Sequence, residues 1–316
     1  MASKIDVFID KIKKSKSILI VGHKNPDGDS LCSVLALAGI IKQNFGKEPV
    51  CLYDGNIPDY LDKVPYRDDI IFCEHFNLSV RFDLAIVLDF GTVAHIGGAL
   101  PLVKNSAFRI EIDHHKNFDH IGDLCINKET ASSVGEVLYE IAKSKDLIYD
   151  KDVAELITVS ILTDTGNFKY CQTGKALRIV ADLVDKGIYI KNITDKLNNK
   201  PWKTVKTEAA VVAKTEFFYD RKLAVAIVDA KDYKNLDGRG DIILGLLEQT
   251  KGIEYIVLLK QQKINQIGIS FRSREKSILH IAESFGGGGH PCAAGAVAFD
   301  SLENVKKQVI KAFKGQ

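Results

Sequence analysis

The sequence predicts an α/β protein, a parallel-sheet domain followed by a smaller mixed α/β domain, and three observations carry that expectation. Short β-rich apolar runs alternate with helix-period segments through the first half. A polar, helical stretch punctuated by Pro201 follows, after which strand-like runs resume around a glycine cluster. The chain has 316 residues, about twice a typical single domain of roughly 150. The expected division is therefore residues 1–187 as the first domain, 188–215 as a helical linker and 216–316 as the second domain.

The elements follow in order. The N-terminus sets Ile5, Phe8 and Ile12 among lysines, the pattern of an amphipathic helix rather than a cleavable leader. Strands are expected at Ser17 to Val21, Pro49 to Tyr53, Leu84 to Leu88 and Phe108 to Ile112, short β-rich runs. Helices are expected at Ser30 to Asn44, Ser133 to Lys143, Asp152 to Thr163 and Gly174 to Lys186, the last closed by Gly187. Past the linker, strands are expected at Leu223 to Val228, Tyr255 to Lys260, Ile264 to Phe271 and Ala294 to Phe299. A helix at Ser277 to Ser284 precedes the glycines, and a last helix ends the chain.

Composition excludes several classes. Hydrophobic residues at 46% and charged residues at 27% are ordinary for a globular protein, which removes disordered and fibrous readings. The longest apolar stretch, Val34 to Ile41, is far short of the roughly 20 residues that span a bilayer. The six cysteines are widely spaced without a C-x-x-C pair, so reduced thiols in a cytoplasmic protein fit best. Residues 1–199 carry 24 Lys and Arg against 28 Asp and Glu, while 200–316 carry 19 against 13. An acidic first part suits cations and a basic second part suits an anionic substrate.

The chemistry concentrates at element ends. After the first strand comes His23-Lys24-Asn25-Pro26-Asp27-Gly28-Asp29-Ser30. Two further strands end in acids, at Asp89 and at Asp113-His114-His115, and Asp164 follows the helical run Leu156 to Leu162. A lone acid at such a place is commonly a helix N-cap. Repetition at four α/β junctions, with imidazoles beside the acids, points instead to cations, because bare carboxylates so grouped repel one another. Oxygen-rich donors with a minority of imidazoles suit manganese or magnesium, and the absence of cysteine from these turns argues against structural zinc. Enough carboxylates are present for two ions roughly 3.5 to 4 Å apart, sharing one aspartate and activating water for in-line attack on phosphorus.

These residues resemble the DHH family of phosphoesterases, named for Asp113-His114-His115. Its four motifs are matched in order by His23/Asp27/Asp29/Ser30, Asp89, Asp113/His114/His115 and Asp164, and its C-terminal motif by Gly286-Gly287-Gly288-Gly289-His290. The resemblance implies a parallel-sheet catalytic domain and a DHH-associated C-terminal substrate-binding domain, most like the short members that act as nanoRNases and pAp phosphatases. It implies His23 and Asp27 at a first metal, Asp29, His114 and Asp164 at a second, and Asp89 bridging. His115 would act at the scissile phosphate and Asp113 would orient the histidine pair. The implied cofactor is two Mn2+ ions, with Mg2+ or Co2+ as substitutes. One departure is His95, which stands where relatives commonly have an arginine.

In the second domain, Arg272 and Ser273 end a strand with phosphate-binding groups, Arg274 lies on the face of Arg272, and Gly287, Gly288, Gly289 and His290 could form an anion nest. Holding the far end of a substrate there would favour very short oligonucleotides. The expected activity is hydrolysis of short oligoribonucleotides and linear dinucleotides to mononucleotides, with 3′-phosphatase action on pAp. A pyrophosphatase or exopolyphosphatase on the same site, and a nucleotide sensor with a retired site, are the alternatives. No membrane partner is expected, and a homodimer is left open.

Overall fold

The computed structural model describes residues 3–115, 120–171, 173–236 and 240–315; the side chains of Asp241 and His290 lie outside that description. The chain forms two compact units, Met1–Asn199 and Lys200–Gln316.

The first unit is built on six strands: β1 (Ile18–Val21), β2 (Val50–Tyr53), β3 (Ile70–Phe72), β4 (Leu84–Leu88), β5 (Phe108–Asp113) and β6 (Leu124–Asn127). They lie in the order β3-β2-β1-β4-β5-β6, every pair parallel. In β1 and β4 every residue is buried, because helices cover both faces of a parallel sheet. Successive residues serve opposite faces. Ile18, Ile20, Ile86 and Ile110 join one core, and Leu19, Val21, Ala85 and Val87 join the other.

The larger core is closed by α1 (Lys4–Lys14), α2 (Gly28–Phe45), α4 (Val134–Ser144), α5 (Lys151–Asp164) and α6 (Lys175–Asp185), and α7 (Ile190–Asn198) adds Ile193 and Leu197. On the opposite face, α3 (Leu100–Asn105) contributes Leu102 and Val103. Both α2 and α5 are apolar nearly all round, as suits helices packed against each other as well as against neighbouring elements. Helix α6 stops where Gly187, at φ 96°, returns its N–H to the Val184 carbonyl at 2.8 Å. Because the chain runs from β1 outward to β3 and then returns to β4, the connections diverge between β1 and β4, opening a crevice at their carboxyl ends.

The second unit opens with α8 (Trp202–Ala213) and has its own six-stranded sheet, in the order β11-β12-β10-β9-β8-β7. Its strands are β7 (Glu216–Phe218), β8 (Leu223–Val228), β9 (Tyr255–Lys263), β10 (Gln266–Ser273), β11 (Gly288–His290) and β12 (Ala293–Ala298). Only β8 and β9 pair in parallel. The remaining helices are α9 (Ala230–Tyr233), α10 (Asp241–Glu248), α11 (Leu279–Ser284) and α12 (Leu302–Ala312). One sheet face packs on α11 and α12 through Val257, Ile269, Phe271, Ala294 and Ala296. The other is covered by α8 and α10 over β8 and the start of β9. By strand alternation, Gly268, Ser270 and Arg272 of β10 share that second face with Gly295 and Val297 of β12, outside the apolar cluster.

The glycine run departs from the free loop that its composition suggests. Gly288 to His290 form the edge strand β11, paired to β12. A Cβ at Gly287 would sit 2.0 Å from the Gly295 carbonyl oxygen, so glycine there is a condition of strand packing. Among the described residues, no helix is long and apolar enough to cross a membrane, and all six cysteines are free.

Candidate active site

Each acid reaches the crevice by a local device. The Asp27 carboxylate caps α2, accepting the Ser30 N–H at 3.0 Å, and Asp29 follows in the first turn, where a helix favours negative charge. Asp89 leaves β4 with φ 50°, a left-handed turn that aspartate tolerates better than most residues, and it is only 2% exposed. Asp113 ends β5. Asp164 is the last residue of α5, where the helix end disfavours a carboxylate, so an N-cap role is excluded for it.

Two donor sets result. His23 Nε2 lies 3.7 Å from Asp27 Oδ1 and 3.8 Å from Asp89 Oδ2. His114 Nε2 lies 3.7 Å from Asp29 Oδ2, 3.5 Å from Asp89 Oδ1 and 3.5 Å from Asp164 Oδ2. Asp89 thus turns one oxygen to each histidine. His115 Nδ1 is 3.4 Å from Asp89 Oδ1 and 3.0 Å from Asp113 Oδ1.

Backbone carbonyls fix the two imidazoles. His23 Nδ1 donates to the Lys24 carbonyl at 3.0 Å and His114 Nδ1 to the Ala131 carbonyl at 3.3 Å. A carbonyl only accepts, so the proton sits on Nδ1 and Nε2 faces the carboxylates. Asp113 gathers five donors: the N–H groups of Phe90, Gly91, His114 and His115, and His115 Nδ1. It therefore orients the His115 ring directly, whereas the His114 ring is set by Ala131.

The donors fit a divalent cation. Asp89 Oδ1 and His114 Nε2 are buried with no hydrogen-bond partner, although they face each other's charge. The sets His23/Asp27/Asp89, Asp29/His114/Asp164 and Asp89/His114/His115 each bring one ligand atom per residue within 4.8 Å of the others. The same acids act on the protons of the imidazoles they surround. Burial alone would lower the His114 pKa, yet Asp89, Asp29 and Asp164 raise it to about 10, and Asp27 with Asp89 raises His23 to about 9. Asp164 rises to about 7, through burial first, against the pull of His114 and with Asp89 and Asp27 adding to the rise. Burial also pushes Asp113 up, but His115 and the surrounding N–H groups hold it well below the usual carboxylate range.

Several supporting groups carry no motif signal. Ser160 and Ser33 donate to Asp29 Oδ1 at 2.5 and 2.9 Å, and Asn127 Nδ2 donates to the His115 carbonyl at 2.8 Å. Ser160 stands one turn before Asp164 on α5, and that spacing is the one signal that could have marked it. His95 serves locally: its Nδ1 donates to the Phe90 carbonyl at 3.1 Å and its carbonyl accepts the Lys24 N–H at 2.7 Å. Glu111, His120 and Cys125 also cluster, but the Glu111 carboxylate is taken up by the Ile121 and Gly122 N–H groups and His120 Nδ1.

In the second unit, Arg272 is half-buried, with one nitrogen 3.0 Å from the Phe271 carbonyl and Nε 3.9 Å from Glu248. Ser273 donates to the Lys276 carbonyl at 2.5 Å. Arg274, expected beside Arg272 as a phosphate contact, is instead consumed at the end of α10, donating to the Ile253, Glu248 and Thr250 carbonyls. Three carbonyls left unpaired near a helix end are a strong sink for a guanidinium. Gly288 and Gly289 lie on edge strand β11 and Gly287 immediately before it.

The family model described as DHH family, N-terminal domain, matches residues 17–161, and that for the DHHA1 domain matches 220–315. A Streptococcus mutans protein named probable bifunctional oligoribonuclease and PAP phosphatase NrnA is 28% identical over 94% of this chain and 94% of its own. A probable manganese-dependent inorganic pyrophosphatase of Oceanobacillus iheyensis is 25% identical over 68% of this chain and 71% of its own. The crystal structure of an exopolyphosphatase-related protein from Bacteroides fragilis has the same fold, with a TM-score of 0.89 at 24% identity over 98% of this chain and 95% of that one. Taken together, the two domain matches span most of the sequence, and the chain belongs to the DHH family, with a DHHA1 domain following its DHH domain.

Proposed function

We propose that the chain is a manganese-dependent phosphodiesterase that hydrolyses short oligoribonucleotides and linear dinucleotides to mononucleotides, with 3′-phosphatase action on pAp. The observation that carries this reading is the pair of donor sets sharing Asp89, with Asp89 Oδ1 and His114 Nε2 buried without a hydrogen-bond partner. His23, Asp27 and Asp89 would hold one ion, and Asp29, His114, Asp164 and Asp89 the other; oxygen-rich donors with imidazole suit Mn2+, and Mg2+ or Co2+ could replace it. Such ions supply Lewis acidity toward a phosphoryl group and a water nucleophile at neutral pH.

The chain's own residues supply the rest. Asp113 fixes the His115 ring through Nδ1, leaving Nε2 at a partly exposed edge as the atom that delivers a proton to the leaving oxygen. Burial lowers the His115 pKa, but Asp113 reverses this and raises it, which favours the proton-carrying form. In the DHHA1 domain, the sheet face bearing Ser270, Arg272 and Gly295, with β11 at its edge, suits one phosphate and the base beside it. The free cysteines support a cytoplasmic setting.

The pyrophosphatase alternative keeps the acids and changes the substrate. It is less favoured because the resemblance to the oligoribonuclease and PAP phosphatase runs through nearly the whole chain, the DHHA1 part included. A hydrolysis panel with Mn2+ decides: pApA, a five-nucleotide RNA, a twenty-nucleotide RNA, pAp and pyrophosphate, with His114→Ala as control. The expected result is fast mononucleotide release from the short diesters, slower release from the longest RNA, turnover of pAp, and none in the control. Turnover of pyrophosphate alone would overturn the substrate assignment, and full activity of His114→Ala would overturn the site.

A further inference from the structure

We propose that Ser160, together with Ser33, is a positioning residue that restricts Asp29 to a single donor oxygen at the ion it shares with His114 and Asp164. The inference rests on Asp29 being a ligand of that ion, and it concerns a buried knot that joins three helices behind the acids.

Asp29 is 1% exposed, and its two oxygens have different surroundings. Oδ1 accepts the Ser160 hydroxyl at 2.5 Å, the Ser33 hydroxyl at 2.9 Å and the Gly135 N–H at 3.3 Å. Oδ2 accepts one donor, the Val134 N–H at 2.8 Å, and lies on the His114 side, 3.7 Å from Nε2. A carboxylate oxygen has two in-plane lone pairs. The two hydroxyls therefore fill the lone pairs of Oδ1, with the Gly135 N–H shared between it and Ser160 Oγ, while Oδ2, with one donor, keeps a lone pair on the His114 side. Coordination through both oxygens is closed to Asp29 for as long as the serines hold it.

The knot is specific in its construction. Ser33 stands one turn after Asp29 on α2, and Ser160 one turn before Asp164 on α5, so α5 supplies both an ion ligand and the clamp on its neighbouring ligand. Helix α4 points its first N–H groups at the same carboxylate, which favours the negative charge. Ser160 Oγ also lies 2.9 Å from the Gly135 nitrogen and 3.2 Å from Ser133 Oγ. A Cβ at residue 135 would fall 2.1 Å from Ser160 Oγ, so the approach of α4 to the serine needs glycine there. Groups that orient a ligand in this way typically control metal affinity by roughly 10- to 100-fold.

The test is Mn2+ binding to metal-free full-length protein without substrate, followed by calorimetry and by the electron paramagnetic resonance of free Mn2+, for wild type, Ser160→Ala, Ser33→Ala and Asp29→Asn. Near-ultraviolet circular dichroism checks the fold. The expected result is that Ser160→Ala weakens one of two Mn2+ ions about tenfold or more, that Ser33→Ala weakens the same ion less, and that Asp29→Asn weakens it most. Loss of one ion in Asp29→Asn with unchanged affinity in both serine variants would overturn the positioning role alone. Unchanged affinity in Asp29→Asn would instead overturn the ligand assignment beneath it. Should Ser160→Ala not fold, Ser33→Ala decides by the same criterion.

Discussion

At Asp89 a buried carboxylate sits on a left-handed backbone turn, and the two demands separate under substitution. Asparagine accepts that turn and removes the charge; alanine removes the charge and adds backbone strain of about 1 kcal/mol or more. Both variants should lose turnover of pApA, while thermal melts place Asp89→Ala below Asp89→Asn in stability. Equal activity in Asp89→Asn and wild type would contradict the bridging role. Glu111 gives a pH dependence away from the ion ligands. Burial pushes this carboxyl up, but Cys125, the Gly122 and Ile121 N–H groups and His120 outweigh it and hold the pKa below the ordinary value. A lowered folded pKa means its stabilisation is complete above the unfolded value of about 4.3 and is lost as pH falls through the folded one. Glu111→Gln should therefore cost about 2 kcal/mol at pH 7, and its gap from wild type in urea melts should narrow on acidification. A gap of the same size at pH 7 and at pH 3 would show that ionisation is not its source.

Elements differ in how openly the sequence declares them, and the reason is burial. Strands β1, β4 and β8 lie inside their sheets and their unbroken apolar runs stand out beside polar turns, while β5 alternates Phe108, Ile110 and Ile112 with charged residues. The short strands β3, β6 and β7 are three or four residues long and lie at sheet edges, where half-exposed side chains leave no clear period. The glycines are the hardest to read as a strand, because their strand propensity is low, whereas here the missing side chains let β11 close on β12. Gly287→Ala should accordingly destabilise the second unit by about 1 to 3 kcal/mol and weaken pAp turnover while leaving Mn2+ binding intact, measured by melts and calorimetry side by side. The acids were legible because each follows its own strand or helix within a few residues. Ser160 and Ala131 were not: one meets Asp29 across 131 positions, and the other acts through a backbone carbonyl that any residue could supply.

Across the whole molecule, each unit has its own apolar cores and sheet, and every candidate ion ligand belongs to the first. A ligand that binds only the folded form adds about 2.7 kcal/mol at a hundredfold excess over its Kd. Mn2+ should therefore slow hydrogen exchange in β1, β4, β5 and α5 and leave β8, β9 and β10 unchanged; equal protection of both units would contradict this division. The division of charge, acidic through residue 199 and basic after it, follows the same boundary. The most direct measurement adds Mn2+ stepwise to metal-free protein and reads bound ions and pApA hydrolysis in the same samples. Two ions per chain, with mononucleotide release rising as the site fills and absent in Asp89→Asn, is the predicted result. Undiminished hydrolysis in the chelated protein, or two bound ions without any hydrolysis of pApA or pAp, would contradict it.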